Sequence, residues 1–269
     1  MPFDGLRVLS LESRRSVEIE KLIRAQRGQP FVAPSMREVP LDANTAAFAF
    51  AERLFRGEFD MMILLTGVGA RLLNQTLETR YPAGAFPGAL RNLTVVARGS
   101  KPVAVLREWG VPVAIAVGEP NTWREILAAL DGRNERNIAV QEYGRPSDEL
   151  IDGLKTRGAA VTSVPVYQWD LPLDTAPLQT AARKLVNGEF DVILFTTSIQ
   201  IAHLFKIAAD DGALRAALTK IVIASVGPTT TETLADFGLK PDVEPSHPKM
   251  GFLVNETAAQ AARILESKS

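Results

Sequence analysis

An internal repeat constrains the fold of this chain more than any other feature of its sequence. The segment Gly57–Thr66 reads Gly-Glu-Phe-Asp-Met-Met-Ile-Leu-Leu-Thr, and Gly188–Thr197 reads Gly-Glu-Phe-Asp-Val-Ile-Leu-Phe-Thr-Thr, 131 residues later. Each copy has an acidic turn, a buried apolar strand and then small residues that open a helix. Such a strand–helix junction presents backbone N–H groups to a ligand. The repeat therefore predicts two similar α/β units, each with one junction of this kind.

The repeat also relates two extended segments that contain prolines. Arg27-Gly28 falls on Arg157-Gly158, 130 residues further on, and an extended segment follows each pair. We interpret these segments, Phe31–Val39 and Val161–Trp169, as equivalent elements that are edge or linker strands rather than central ones. Their repetition indicates two equivalent connections in the chain.

Strands alternate with helices along the whole chain, which predicts parallel sheets of the doubly wound kind. Two sequential domains would place a boundary near Gly132. Alternatively, the two extended segments are paired crossovers, so that the terminal parts form one domain and the middle forms the other. The proline-containing segments favour the second arrangement. We expect a discontinuous first α/β domain, residues 1–34 and 171–269, and a second domain, residues 35–170, that includes both linker strands of a hinge.

Composition excludes several classes of function. A net charge of −1 argues against a nucleic-acid partner, and the absence of cysteine removes disulfides, thiol nucleophiles and thiolate metal sites. With only two histidines, His203 and His247, a His-rich metal centre is excluded as well. The N-terminus lacks a signal peptide, and no apolar run approaches the roughly 18 residues needed to span a bilayer. We expect a soluble, cytoplasmic protein without a membrane partner.

The candidate binding residues follow the predicted strands, where helix N-termini present N–H groups. Glycines there allow close backbone approach, and hydroxyl and N–H groups suit carboxylate or phosphate. For any single stretch, capping and tight turns are the simpler interpretation, but five stretches at equivalent strand ends favour a binding site. No dinucleotide fingerprint or phosphate-binding loop is present. The candidates are Thr66, Gly67, Val68, Gly69, Arg98, Gly99, Tyr143, Gly144, Arg145, Thr197, Ser198, Gly227 and Thr230.

General acid–base candidates are few. His203 lies in an apolar helical pattern, so packing is its simpler interpretation, and His247 lies in a loop between Ser246 and Pro248. Tyr167 stands on the second linker strand, where packing is the default role for a tyrosine. Its place between the predicted domains raises the other interpretation. A phenol with the usual pKa of about 10 is protonated near pH 7 and could donate a proton to a ligand.

Taken together, these motifs resemble the uroporphyrinogen-III synthase family along essentially the whole chain. Their order, combined with the duplication, carries the resemblance. The residues concerned are Thr66–Arg71, Ala97–Gly99, Tyr143–Pro146, Pro165–Tyr167 and Val226–Thr230, the last before a helix that ends in Gly238-Leu239. The resemblance implies a discontinuous first domain, a middle domain and two linker strands, in agreement with the hinge interpretation.

The resemblance further implies a hydro-lyase of tetrapyrrole synthesis that uses no cofactor. Its substrate would be hydroxymethylbilane, a linear tetrapyrrole with many carboxylates, which is closed to uroporphyrinogen III with loss of water and inversion of ring D. Catalysis would rest mainly on positioning. By the same resemblance, Tyr167 would protonate the departing hydroxyl, and Thr229 would assist or bind a carboxylate. We expect a monomer that receives its substrate transiently from hydroxymethylbilane synthase.

Two other classes of function remain open at this stage. One is a regulatory relative of the same fold that senses a tetrapyrrole or a small anion without turnover. The other is a hinge-type solute-binding protein, suggested by the two α/β lobes, although no export signal supports it. The formation of uroporphyrinogen III separates the synthase from both.

Overall fold

The fold was analysed in a computed structural model that describes residues 2–41, 44–142, 144 and 146–268. The chain divides into two compact units, which we call unit 1 (Met1–Arg37 and Asp170–Ser269) and unit 2 (Glu38–Trp169). The strands are β1 Arg7–Ser10, β2 Gln29–Val32, β3 Arg37–Pro40, β4 Met61–Leu64, β5 Thr94–Arg98, β6 Ile115–Val117, β7 Asn137–Gln141, β8 Ala160–Val164, β9 Tyr167–Asp170, β10 Val192–Phe195 and β11 Val222–Ser225. The helices are α1 Ser16–Ala25, α2 Thr45–Phe55, α3 Gly67–Glu78, α4 Ala85–Leu90, α5 Ser100–Glu108, α6 Trp123–Ala129, α7 Asp148–Thr156, α8 Ala176–Val186, α9 Ile199–Ile207, α10 Asp211–Leu218, α11 Pro228–Asp236 and α12 Met250–Lys268.

Each unit contains one parallel sheet, and the two sheets share an order. In unit 1 the order is β11-β10-β1-β2, and in unit 2 it is β6-β5-β4-β7-β8. The repeat superposes β10 on β4, so the neighbours of these strands correspond in the two units. The partner of β11 that would correspond to β6 is reduced to a single parallel bridge between Ala224 and Val243. The prediction of an α/β fold with doubly wound parallel sheets is thus confirmed.

Both faces of each sheet are covered, which explains the uniformly apolar strands. In β10, Ile193 and Phe195 belong to a cluster with residues of α8, α9 and α10, whereas Val192 and Leu194 pack with residues of α1 and α12. In unit 2 the alternate residues of β4 divide in the same way between helices α2–α5 and helices α6 and α7. The carboxyl ends of the strands are thereby fixed at one edge of each sheet.

The Gly-Glu-Phe-Asp motif acts at the opposite edge, where the strands begin. The carboxylate of Asp60 accepts hydrogen bonds from the backbone N–H groups of Arg136 (3.0 Å) and Asn137 (2.8 Å), at the start of β7. Asp191 accepts one from Arg7 N–H (2.7 Å), at the start of β1. The acidic residue of each copy therefore caps the neighbouring strand, so the motif is structural, and only the residues after each strand belong to the candidate site.

The two extended segments are each divided into two strands. Phe31–Val39 falls on β2 and β3, and Val161–Trp169 falls on β8 and β9. The first strand of each pair joins the main sheet beside β1 or β7, while β3 and β9 form a separate two-stranded sheet. Interpreting each segment as one linker strand was wrong, because a proline, Pro34 or Pro165, interrupts the ladder between the two strands.

Two helices were not expected from the sequence. Helix α4 lies in a stretch rich in proline and glycine, where Pro87 falls in its first turn. A first-turn N–H has no partner within its helix, so proline costs little there. Helix α10 begins after Asp210, whose side chain accepts a hydrogen bond from Ala213 N–H (2.9 Å).

Candidate functional site

The junction after β4 gathers several predicted site residues in unit 2. Thr66 caps helix α3, because its Oγ1 accepts a hydrogen bond from Gly69 N–H (2.9 Å). Gly67 is buried where a Cβ atom would lie 2.9 Å from Lys101 O, so glycine permits the approach of α5. No described residue accepts a hydrogen bond from the N–H groups of Gly67 and Val68. These two donors are oriented for an anion.

A buried glutamine supports this junction from the neighbouring strand. Gln141, at the end of β7, is fully buried, and its Oε1 accepts a hydrogen bond from Thr66 N–H (3.2 Å). A Cβ atom on Gly69 would lie 2.1 Å from Gln141 Nε2. Gly69 is therefore required to admit the glutamine amide. Sequence reasoning missed Gln141, because the order of strands β4 and β7 is not visible in the chain.

Tyr167 lies at the same end of the sheet. Its side chain is 3% exposed and belongs to a core cluster of unit 2. The phenolic oxygen is 3.5 Å from Thr66 Oγ1, within hydrogen-bond distance, and its ring packs edge-to-face against Trp169 with 6.4 Å between centroids. The structure thus brings Tyr167 together with Thr66, Gly67, Val68 and Gly69.

The other predicted residues of unit 2 lie at neighbouring strand ends. Arg98 Nε donates a hydrogen bond to Leu65 O (3.0 Å), so its guanidinium reaches the end of β4. Gly99 has φ +84° and precedes α5. A Cβ atom on Gly144 would lie 2.5 Å from the Trp169 ring, so glycine is required beside that indole. Two further candidates, Tyr143 and Arg145, lie outside the described residues.

In unit 1 the predicted residues follow two paired strands. Phe195 of β10 is in register with Ser225 of β11, which brings the two following segments to the same edge. Ser198 and Thr230 are buried and Thr197, Thr229 and Gly227 belong to the same two junctions. No described residue accepts from the N–H groups of Thr197, Ser198 and Thr229. This edge therefore also offers backbone donors.

A second buried glutamine supports the junction of unit 1. Gln200 Oε1 accepts a hydrogen bond from Thr196 N–H (2.8 Å), and its Nε2 donates to Thr196 Oγ1 (2.9 Å). The same Thr196 hydroxyl donates to a carboxylate oxygen of Glu12, which follows β1. The other oxygen of Glu12 accepts from the N–H groups of Arg14 and Arg15 (3.0 Å each). Sequence reasoning missed Glu12, although its position after the first strand was a usable signal.

The loop that contains His247 lies against the same edge. A Cβ atom on Gly227 would lie 3.2 Å from Pro248 Cβ. Ser246 Oγ donates to Glu256 (2.5 Å), and the His247 ring packs on Phe252 with 4.6 Å between centroids. His247 is thus an exposed residue beside the Gly227 junction, packed on an aromatic ring.

The other ionisable groups in buried positions are structural in their contacts. His203 is buried, with Nδ1 2.7 Å from Ser35 O, and burial lowers the pKa of its imidazole. Burial raises the pKa of Glu142, which accepts a hydrogen bond from Ser147 N–H (3.2 Å). Within residues 2–41, 44–142, 144 and 146–268, no cluster of metal-binding side chains occurs. No helix in that part of the chain is long and apolar enough to cross a membrane.

Fold and edges together define a duplicated, two-unit α/β protein whose strand ends offer backbone donors and hydroxyl groups. The family model described as uroporphyrinogen-III synthase HemD matches residues 17–255. The chain therefore belongs to the uroporphyrinogen-III synthase family.

Individual relatives agree with this assignment along nearly the full length. The chain is 28% identical over 267 residues to the uncharacterized protein YjjA of Bacillus subtilis (strain 168), covering 94% of this chain and 95% of the relative. A mutant uroporphyrinogen III synthase of Thermus thermophilus is 25% identical, with a TM-score of 0.71 and coverage of 98% of this chain and 100% of that one. The wild-type Thermus thermophilus protein in another crystal form is 27% identical, with a TM-score of 0.56 and coverage of 97% and 100%.

Proposed function

We propose that this protein is a uroporphyrinogen-III synthase, which closes hydroxymethylbilane to uroporphyrinogen III with loss of water and inversion of ring D. The observation that carries the proposal is the contact between Tyr167 and Thr66, which sets a phenol beside the donor-rich start of α3 in a chain of this family. The substrate would come from the bilane-forming enzyme, and the reaction needs no cofactor.

The strand ends support binding of a substrate with many carboxylates. In unit 2 the free N–H groups of Gly67 and Val68 point out of the first turn of α3, where the helix dipole favours negative charge. In unit 1 the N–H groups of Ser198 and Thr229 hold the equivalent positions. Many such donors, each of modest strength, hold one folded geometry of a flexible tetrapyrrole, which is catalysis by positioning.

Tyr167 supplies the proton in this proposal. The phenol gives its proton to the hydroxyl on ring A, the carbon–oxygen bond breaks, and water leaves. The pyrrole nitrogen electrons stabilise the resulting cation, and ring D attacks it at its substituted carbon to give a spiro intermediate. Cleavage and reclosure invert ring D, and the final loss of a carbon-bound proton returns a proton to the phenolate. The expected contribution of such a general acid is about 10²–10⁴-fold in rate.

A coupled assay tests the function. Porphobilinogen is converted to hydroxymethylbilane by the bilane-forming enzyme in the presence of this protein, and the oxidised products are separated by chromatography. We expect the type III isomer to dominate, because the free substrate closes without inversion to type I. If only the type I isomer forms while the protein binds the bilane, a regulatory role without turnover replaces this proposal.

A further inference from the structure

We propose that Gln141 is a positioning residue for the Tyr167 hydroxyl and that it acts through Thr66. The inference rests on the proposed function for its catalytic meaning, but the chain of contacts itself can be tested without turnover. It assigns a role to a fully buried polar side chain and to the glycine beside it.

The first step joins Gln141 to the backbone of Thr66. The glutamine side chain has no solvent-exposed surface, its Oε1 accepts from Thr66 N–H (3.2 Å), and its Nε2 donates to Glu142 O. Both ends of the amide are therefore held. Gly69 leaves the space that the amide occupies, since a Cβ atom there would lie 2.1 Å from Nε2. Gln141 thus fixes the backbone from which the Thr66 side chain projects.

The second step joins Thr66 to the phenol. Thr66 Oγ1 already accepts from Gly69 N–H (2.9 Å), so its own hydroxyl proton is the one available for Tyr167 Oη at 3.5 Å. A hydrogen bond donated to a phenolic oxygen favours the phenolate, because it stabilises the charged form. The brace therefore makes the proton of Tyr167 easier to transfer. Such contacts are often long before the substrate binds and shorten afterwards.

Unit 1 contains the same brace without a phenol, which provides a matched control. Gln200 holds Thr196 through its N–H (2.8 Å), but the Thr196 hydroxyl donates to Glu12. Removing either glutamine amide takes away a buried brace of a strand–helix junction. Only the removal of Gln141 is expected to change the titration of Tyr167.

The test measures the titration midpoint of the Tyr167 phenol. The sequence has three tyrosines, so a Tyr81→Phe/Tyr143→Phe background leaves Tyr167 as the single phenol. A ring-fluorinated tyrosine is incorporated so that titration occurs at lower pH, and absorbance reports the phenolate while circular dichroism reports folding. We expect Gln141→Met and Thr66→Val each to raise the midpoint by about one pH unit, the loss of one charge-assisted hydrogen bond. Thr66→Ser and Gln200→Met leave it in place.

The double variant Gln141→Met/Thr66→Val separates action through Thr66 from independent effects. We expect its midpoint to equal that of Thr66→Val alone, because the second substitution removes a support whose target is already absent. An unchanged midpoint in folded Gln141→Met, an equal shift in Gln200→Met, or additive shifts in the double variant would overturn the proposal. If Gln141→Met does not fold, equal midpoints for Thr66→Val and Thr66→Ser overturn it.

Turnover distinguishes failure of this inference from failure of the proposed function. In the coupled assay we expect Gln141→Met to lower kcat about tenfold with little change in KM, and to have no further effect in a Tyr167→Phe background. A wild-type protein that forms no type III isomer refutes the function, while the titration still decides the contact chain. An undiminished kcat in Gln141→Met refutes the positioning role alone.

Discussion

The phenolic oxygen of Tyr167 lies 3.5 Å from Oγ1 of Thr66, although the two residues are 101 positions apart in the chain. This contact joins β9 to the residue that caps α3, so the candidate proton donor stands beside the N–H groups of Gly67 and Val68. A proton donor and anion-binding groups therefore occupy one edge of one sheet.

Tyr167→Phe is predicted to lower turnover about a hundredfold or more, because phenylalanine keeps the packing against Trp169 but has no proton to give. The loss of one hydrogen bond costs about 1 kcal/mol, so the thermal midpoint changes by only about 2–4 °C. Steady-state kinetics and a thermal melt check both values. Tyr81→Phe, at a tyrosine that packs on Phe55, is the control and keeps its activity. Wild-type turnover in Tyr167→Phe would reduce Tyr167 to a packing residue.

Gly69→Ala is predicted to destabilise the protein by about 1–3 kcal/mol, because the added methyl group overlaps the Gln141 amide. Urea denaturation measures the change. Gly88→Ala in α4 is the matched control, since nothing lies within 4 Å of its Cβ position. There, alanine is expected to stabilise by up to about 1 kcal/mol through helix propensity. Equal stability of Gly69→Ala and the wild type would contradict the packing described for this junction.

Asp191 is predicted to contribute acid-sensitive stability. Burial opposes ionisation of its carboxyl group, but hydrogen bonds from the side chain and N–H of Arg7 outweigh it and lower the pKa. Since the folded pKa lies below the unfolded value of about 4, the stabilisation is complete above that value and is lost as the pH falls through the folded pKa.

The substitution Asp191→Asn should therefore lower the free energy of unfolding at about pH 7 by about 1 kcal/mol, given the partial exposure of the pair. The difference from the wild type should narrow below about pH 3. Urea titrations at the two pH values measure it. Glu189→Gln, at an exposed carboxylate paired with Lys184, is the control with a small effect. A difference that does not depend on pH would speak against ionisation as its source.

His203 is predicted to make the protein less stable in mild acid. Burial, aided by Lys206, lowers the pKa of its imidazole despite the contact with Ser35 O and the nearby Asp170. A lowered folded pKa means that stability is complete above the ordinary value of about 6.5 and is lost as the pH falls through the folded pKa.

Replacing the histidine isolates this effect. His203→Gln should flatten the dependence of the unfolding free energy on pH between about 7.5 and 5.5, even if the variant is less stable throughout. His247→Gln, at the other histidine of the chain, should keep the wild-type slope. If the slope survives in His203→Gln, another group causes it.

The fold was largely predictable because a repeat and periodic apolar strands are local signals. The copies at Gly57–Thr66 and Gly188–Thr197 marked the central strands β4 and β10 of the two sheets. The 130-residue match of Arg27-Gly28 was displaced by one position, since Gly28 N–H bonds Ile23 O and Ala159 N–H bonds Leu154 O, an offset of 131. Helix ends align by hydrogen bonds, not by residue identity.

The site was less predictable, because it depends on which strands are neighbours. Thr66 and Thr196 looked like residues with free N–H groups, yet Gln141 and Gln200 occupy both donors. One glutamine comes from an adjacent strand and the other from the following helix, so no common spacing reveals them. Gly69 likewise looked like a point of ligand approach, whereas its missing Cβ admits a protein side chain.

The most direct test adds the purified protein to hydroxymethylbilane and measures the ratio of type III to type I uroporphyrinogen against the spontaneous reaction. We predict that type III dominates with the wild-type protein and that Tyr167→Phe moves the ratio back towards type I. A ratio identical to that of the spontaneous reaction, at protein concentrations that bind all the bilane, would contradict the synthase assignment.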